Sequence, residues 1–248
     1  MRAPTASAGT RRLGLAAVVA VGLTAVLGLW GTPTSAEQGE LYRLVYVHPA
    51  MAVVSYLAFA VTAVASLLYL VPRTRTRLWD LTAGASAEVG VVFCALTLVT
   101  GSTWGRPTWG VWWTWDARLT TTALLLALFL GYLALRRVPA PAGVRARRSA
   151  VAGLVAAADI PVVHMSVTWW RTLHQDGTVL RPDLQPQMDP EMLRVMLLSF
   201  AAFTLVYVWL VIHRFRVEVF QERLDRESLA TALEERRAEA ALAETGAS

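Results

Sequence analysis

Long apolar stretches separated by short charged breaks dominate the 248-residue sequence. A helix needs about 20 mainly apolar residues to cross a bilayer core of about 30 Å, and several of the stretches are close to that length. The pattern predicts six transmembrane helices, at about Leu13–Trp30, Leu44–Val71, Leu81–Val99, Leu119–Leu135, Val151–Val167 and Met192–Ile212. The fold class that it indicates is therefore all-α, a polytopic membrane protein.

The charged breaks differ in their arginine content from one side of the predicted bundle to the other. Thirteen arginines lie in the breaks on one side: Arg2, Arg11, Arg12, Arg73, Arg75, Arg77, Arg136, Arg137, Arg145, Arg147, Arg148, Arg214 and Arg216. Six lie on the other side: Arg43, Arg106, Arg118, Arg171, Arg181 and Arg194. Cytoplasmic loops are enriched in basic residues, so both termini are predicted to be cytoplasmic, the N-in/C-in arrangement. The first span also resembles a secretory signal, and we interpret it as a retained anchor.

The three longer connections are then predicted to be extracytoplasmic, at about residues 31–43, 101–118 and 168–191. The last of them contains RPDLQPQMDP, whose prolines and acids predict a loop. The second contains half of the ten tryptophans and is expected to be an irregular loop, because Gly105, Pro107 and Gly110 interrupt it.

The composition changes after the last predicted span. Residues 217–248 carry eight acidic residues and four arginines. Four apolar residues recur there at roughly helical spacing: Phe220, Leu224, Leu229 and Leu233. We therefore divide the chain into a membrane domain, residues 1–216, and a charged cytoplasmic tail helix, residues 217–248. The tail either packs against a partner or is solvated, and the sequence leaves both alternatives open.

Composition excludes several functions. The chain is 55% hydrophobic and has no lysine, so it contains no phosphate-binding loop of the G-x-x-x-x-G-K-[ST] type, and any ATP must be bound by a partner. The single cysteine, Cys94, and the absence of C-x-x-C-H exclude covalent c-type haem attachment to this chain. The basic charge follows the membrane topology, which argues against a nucleic-acid partner.

Half of the ten tryptophans lie in one stretch, WGRPTWGVWWTWDARLT, over residues 104–120. They are Trp104, Trp109, Trp112, Trp113 and Trp115, and they are accompanied by Arg106, Asp116 and Arg118. An interfacial aromatic belt is one interpretation, although a helix end needs only one or two such anchors. We favour the other, a surface that stacks a large flat ligand and pairs arginines with carboxylates at its rim.

Topology sorts the four histidines. His48 and His174 fall at the outer ends of the second and fifth spans, on the same side as the tryptophans. Two neutral imidazoles on opposite faces of a flat ring are suited to axial ligation of a haem iron. His164 lies deeper in the fifth span, and we rank it below the other two as a ligand. Two acids lie within spans, Glu88 and Asp159, and either line a polar route or pack as hydrogen-bonded residues.

The tryptophan-rich stretch resembles the WWD signature of the CcmC family of cytochrome c maturation. YRLVYVHPA before the second span, LVTGSTWG before the signature and IPVVHMSVTWWRTLHQ in the fifth span extend that resemblance over most of the membrane domain. The resemblance implies a protein of the cytoplasmic (inner) membrane that holds haem at its outer face and presents it to the chaperone CcmE. It implies work alongside the ATP-binding CcmA, the membrane subunit CcmB and the small CcmD. By motif match, His48 and His174 take the ligand positions and residues 104–120 the platform.

These observations predict a haem-delivery subunit rather than an enzyme. Haem b is expected to be ligated by His48 and His174 and stacked on the tryptophans. Its propionates are expected to pair with some of Arg106, Arg118 and Arg171, and Asp116 is expected to orient the loop or an arginine. The alternatives are a transmembrane haem transporter and a b-type membrane electron-transfer cytochrome, which usually places its ligands within facing helices.

Overall fold

The computed structural model describes residues 7–174 and 188–246 and is all-α over that part of the chain. The helices are α1 (Ala8–Trp30), α2 (His48–Leu70), α3 (Arg77–Trp109), α4 (Ala117–Arg137), α5 (Ala142–Ala157), α6 (Asp159–Trp169) and α7 (Pro190–Gly246), with a 3-10 helix over Glu40–Tyr46 before α2. The predicted loop RPDLQPQMDP lies largely outside the described residues.

Six helical segments of the described chain are long and apolar enough to cross a membrane, as the sequence predicts. They alternate in direction along the chain and form a multi-pass bundle. One end of this bundle carries His48, Trp109 and Trp169, and we call it the histidine end. The other carries Arg77 and Arg137, and we call it the arginine end.

The bundle is centred on α2 and α3, which pack against each other along their length. Small residues allow the close approach: a Cβ atom built on Gly90 would lie 2.7 Å from the Phe59 ring, and the Ser86 hydroxyl donates to the Ala58 carbonyl at 2.7 Å. Such small-residue contacts are typical of helices packed in membranes. Helix α7 covers one side together with α1, and α4, α5 and α6 cover the other. The Phe59 and Phe129 rings stack across that second side with their centroids 3.7 Å apart.

The fifth predicted span is two helices rather than one. Pro161 has no N–H group to donate to the carbonyl of Ala157, so the helical hydrogen-bond ladder is interrupted there. Helix α5 ends at Ala157, and α6 begins at Asp159. The Asp159 side chain is buried at this break, which places one of the two intramembrane acids at an irregular point of the backbone.

Helix α3 is longer than the predicted third span and continues through Gly105 and Pro107 to Trp109. The irregular part of the tryptophan-rich segment is correspondingly shorter than predicted. Gly105 does not break the helix, because its missing side chain makes room for an indole: a Cβ atom there would lie 2.9 Å from the Trp109 ring. The helix ends instead at Gly110, whose φ of 81° is the left-handed conformation that commonly terminates helices.

Ion pairs concentrate toward the arginine end. Asp80 is buried between Arg77 and Arg136, and Arg77 also contacts Glu222 of α7. Arg214 of α7 forms a two-pronged pair with Glu88 of α3, with an Nη2–Oε1 distance of 2.9 Å. Glu88 is therefore ion-paired between two packed helices, which favours the packing interpretation of this acid over the polar route.

Candidate functional site

A cavity of about 510 Å³ opens at the histidine end between α2, α3, α4, α6 and α7. That volume falls within the range of small-molecule sites, which is about 300–1,000 Å³. Its walls combine apolar and aromatic groups with a few polar ones. Residues with possible chemical roles in the lining are His48, Tyr56, Trp104, Trp109, Arg118, His164 and His174.

The two predicted iron ligands face the same cavity. His48 begins α2 and His174 follows α6, 126 positions along the chain, yet their ring centroids lie 6.4 Å apart with an angle of 35° between the rings. A metal–imidazole bond of about 2 Å on each side, plus about 1 Å from each nitrogen to its ring centre, requires about 6 Å between centroids. The spacing therefore suits one metal ion between the two imidazoles.

The described residues near this pair do not complete a metal site by themselves. No group of three or more His, Cys, Asp and Glu residues capable of holding a metal ion occurs among the described residues. A pair of opposed imidazoles instead fits a metal that brings its equatorial donors with it, as haem iron does in its porphyrin ring. The side chains present thus fit haem better than a bare cation.

Two of the five clustered tryptophans take part in the cavity. Trp104 meets the His48 ring edge-on at a centroid distance of 6.0 Å, and Trp109 meets the His174 ring at 6.2 Å. Both project from the last turns of α3. The Trp104 indole N–H also donates to the Gln38 side chain at 2.7 Å, which fastens the segment after α1 to the cavity wall.

The other three tryptophans lie outside the described lining of the cavity. Trp112 and Trp115 are 61% and 80% exposed, and Trp113 packs edge-on against Trp115. They belong to the irregular segment between α3 and α4. The structure therefore divides the predicted five-indole surface into a helical pair within the cavity and an exposed group beside it.

The α3 helix presents a close-fitting surface to His48. The Nδ1 atom of His48 lies 3.0 Å from the Thr100 hydroxyl oxygen. A Cβ atom added at Gly101 would lie 3.0 Å from the Cε1 atom of His48, closer than such contacts normally allow. Thr100 therefore contacts the Nδ1 edge of the imidazole ring, and the missing side chain of Gly101 allows the ring to lie against α3.

Asp116 connects the tryptophan-rich segment to His174. One carboxylate oxygen caps α4 by accepting from the Leu119 N–H at 2.8 Å, as N-terminal aspartates commonly do. The other accepts from the Thr172 hydroxyl, and the same hydroxyl oxygen accepts from the backbone N–H of His174 at 3.0 Å. Asp116 thus joins the start of α4 to the segment that precedes His174.

The three predicted propionate partners are placed differently. Arg118 lines the cavity, where its guanidinium donates to the His164 carbonyl at 2.9 Å and to the Ser166 hydroxyl at 3.4 Å. Arg106 donates to the Gly110 carbonyl and so caps the end of α3. Arg106 and Arg171 are exposed and lie outside the described lining, so Arg118 is the one of the three that lines this cavity.

Sequence reasoning did not single out Thr100, Gly101, Thr172 or Gln38. A signal for Gly101 was present: positions 97, 101, 104 and 108 fall on one face of a helix, and that face carries Trp104 toward the cavity. Thr100 is marked only by its contact with His48, 52 positions away. Thr172 and Gln38 act across long sequence separations, and no local pattern marks them.

The fold and the cavity together define a multi-pass helical membrane protein with a histidine-lined aromatic binding cavity at one end of its bundle. Comparison with known proteins makes the assignment more specific. The model of the CcmC family, described as heme exporter protein C, matches residues 4–230. The chain belongs to this family.

Individual relatives agree with the family match. Heme exporter protein C of Haemophilus influenzae is 34% identical over 212 residues, which cover 84% of each chain. Heme exporter protein C of Escherichia coli is 36% identical over 204 residues, covering 82% of this chain and 81% of the relative. A ccmC-like mitochondrial protein of Marchantia polymorpha, named for cytochrome c biosynthesis, is 39% identical over 153 residues, covering 62% of this chain and 64% of the relative.

Proposed function

We propose that this protein binds haem b in the cavity at the histidine end, with His48 and His174 as the axial ligands of the iron. The observation that carries the proposal is the 6.4 Å separation of the two imidazole centroids across an aromatic cavity. The family name, heme exporter protein C, supports haem as the ligand. Arg118 is suited to pair with a propionate, and Trp104 and Trp109 to contact the ring or its ligands.

The biological role that we propose is haem handling in cytochrome c maturation. The chain holds haem at the extracytoplasmic face of the cytoplasmic membrane and delivers it to the chaperone CcmE, in a complex with CcmA, CcmB and CcmD. The outer location rests on the arginine distribution, which assigns the arginine end of the bundle to the cytoplasm. Because the chain has no lysine-containing phosphate loop, ATP hydrolysis falls to a partner.

Two features make delivery a better proposal than transport through the bundle. The cavity opens at one end, and both candidate ligands lie there. Glu88, one of two acids that could have marked a route across the membrane, is paired with Arg214 instead. The described part of the tail, residues 217–246, continues α7 beyond the proposed membrane domain of residues 1–216, and Glu222 in it contacts Arg77.

The test is to purify the full-length protein in detergent with its bound haem and to compare His48→Ala, His174→Ala and His213→Ala. His213 is a matched control, because it packs against Trp209 far along α7 from the cavity. Each cavity variant is expected to lose most of its haem and to stop transfer to CcmE, whereas His213→Ala behaves as wild type. Haem retention in both cavity variants at wild-type levels would overturn the proposal.

A further inference from the structure

The hydroxyl group of Thr100 makes a contact whose direction can be worked out from the surrounding carbonyls. Its oxygen lies 2.7 Å from the Leu96 carbonyl oxygen, 3.2 Å from the Thr97 carbonyl oxygen and 3.0 Å from Nδ1 of His48. A threonine hydroxyl has one proton to donate and can accept from other groups at the same time. The question is which of these neighbours receives the proton.

The carbonyl groups decide that question. A carbonyl oxygen can only accept, and the bond from a threonine hydroxyl to the carbonyl four residues earlier is the usual one within a helix. The Thr100 proton therefore goes to Leu96, at the shortest of the three distances. Toward His48 the hydroxyl oxygen must then act as an acceptor, so the imidazole donates through Nδ1–H.

The opposite arrangement is unfavourable for two reasons. Turning the hydroxyl proton toward His48 would break its bond to Leu96, at a net cost of about 1 kcal/mol. It would also leave Nδ1 as the acceptor, and a neutral imidazole would then carry its proton on Nε2. A protonated Nε2 has no lone pair to offer a metal ion.

From this contact we infer that Thr100 is a positioning residue that fixes the ligand tautomer of His48. It holds the proton on Nδ1 and leaves the lone pair on Nε2, so the imidazole is ready to bind haem iron without first exchanging a proton. This inference rests on the proposed function, because it takes haem iron as the group that His48 ligates. Gly101 assists by allowing the ring to lie against α3 in the required place.

The contact also affects the iron once it is bound. Metal-ligating histidines commonly donate their second ring N–H to an acceptor, and that bond makes the ligating nitrogen more basic. Removing such a partner typically lowers metal affinity by about 10–100-fold. A more basic imidazole favours the ferric state, so loss of the Thr100 acceptor should also raise the reduction potential of the haem.

The experiment compares Thr100→Val with Thr100→Ser in the full-length, detergent-purified protein. Valine keeps the shape and removes the hydroxyl, whereas serine keeps the hydroxyl. Thr103→Val is the control, since Thr103 makes the same kind of bond to Val99 at 2.9 Å on α3 but is exposed and outside the described cavity lining. Haem affinity is measured by titration of the apoprotein, and the reduction potential by spectroelectrochemistry.

We expect Thr100→Val to bind haem about tenfold or more weakly than wild type and to have a higher reduction potential. Thr100→Ser and Thr103→Val should match wild type in both measurements. Wild-type affinity and potential in Thr100→Val would overturn the inference, as would a Thr100→Ser variant that is as impaired as the valine variant. If the valine variant fails to fold, Thr100→Ala removes the same hydroxyl with less crowding.

A second comparison tests whether Thr100 acts through His48. In a His48→Ala background, the Thr100→Val change should cause no additional loss of haem affinity, because its target is already gone. Additive losses would contradict the inference. Failure of the wild-type protein to bind haem would instead refute the proposed function, so the two failures are distinguishable.

Discussion

Replacing Gly101 by alanine should separate the stability of the protein from its haem affinity. The added Cβ atom would lie 3.0 Å from Cε1 of His48. Carbon atoms normally rest about 3.5–4.0 Å apart, so the imidazole must retreat by a few tenths of an ångström. Metal–ligand distances tolerate only about 0.2 Å. A shift of the imidazole by that distance has little effect on helix packing, but it exceeds what an iron–nitrogen bond tolerates.

The expected magnitude follows from that comparison. We expect Gly101→Ala to weaken haem binding by about tenfold or more, which corresponds to about 1.4 kcal/mol or more. The stability of the apoprotein should change by less than about 1 kcal/mol, because the preference for alanine over glycine within a helix, about 0.5–1 kcal/mol, offsets the weakening of the hydrogen bond between His48 and Thr100 as the ring shifts. The measurements are haem titration and thermal unfolding of the apoprotein.

Gly131→Ala provides the matched control. Gly131 is also within a helix, α4, and an added Cβ atom there meets nothing within 4 Å. This variant should gain the same helical preference and keep wild-type haem affinity. If Gly101→Ala bound haem as tightly as Gly131→Ala, the His48 ring could not lie against α3 in the haem complex, and the reasoning would be refuted.

Two further predictions concern the supports of the site and of the bundle. Thr172→Val removes the hydroxyl that links Asp116 to the His174 backbone but leaves the Asp116 cap of α4 intact. Haem affinity should therefore fall about tenfold, with little change in the unfolding temperature. Unchanged affinity in a haem titration would contradict a role for this link. Arg214→Gln leaves the Glu88 carboxylate unpaired between packed helices, which should cost on the order of 1–3 kcal/mol and lower the unfolding temperature. Adding Glu88→Gln should restore part of that loss, and a wild-type unfolding temperature in Arg214→Gln alone would contradict the pairing argument.

The membrane architecture could be predicted because it depends on long apolar runs. The six apolar runs correspond to the six spanning segments, and the differences arise where single residues decide the structure, at the end of α3 and within the fifth span. Pro161 divides the fifth span, since it removes one backbone donor. Gly105 looked like a helix breaker but instead accommodates the Trp109 indole within the helix. Local propensity does not distinguish those two uses of glycine, because the difference depends on a neighbouring ring.

The sequence predicted that His48 and His174 lie at the same end of the bundle, but it did not predict the residues that contact them. His48 and His174 were identified because topology places both at one end of the bundle, and the structure brings their rings together. Thr100 and Thr172 are ordinary residues in sequence, and their importance arises only from contacts made across 52 and 56 positions. The division of the five tryptophans between α3 and the irregular segment after it could not be predicted either, because the sequence does not show that α3 continues to Trp109.

The most direct test of the central claim is electron paramagnetic resonance of the oxidised, haem-loaded protein. We predict the low-spin ferric signal of an iron with two imidazole ligands in the wild type. That signal should disappear in His48→Ala and in His174→Ala and persist in His213→Ala. If the same two-imidazole signal persisted in both cavity variants, the iron would be held by other residues, and the assignment of His48 and His174 would be wrong.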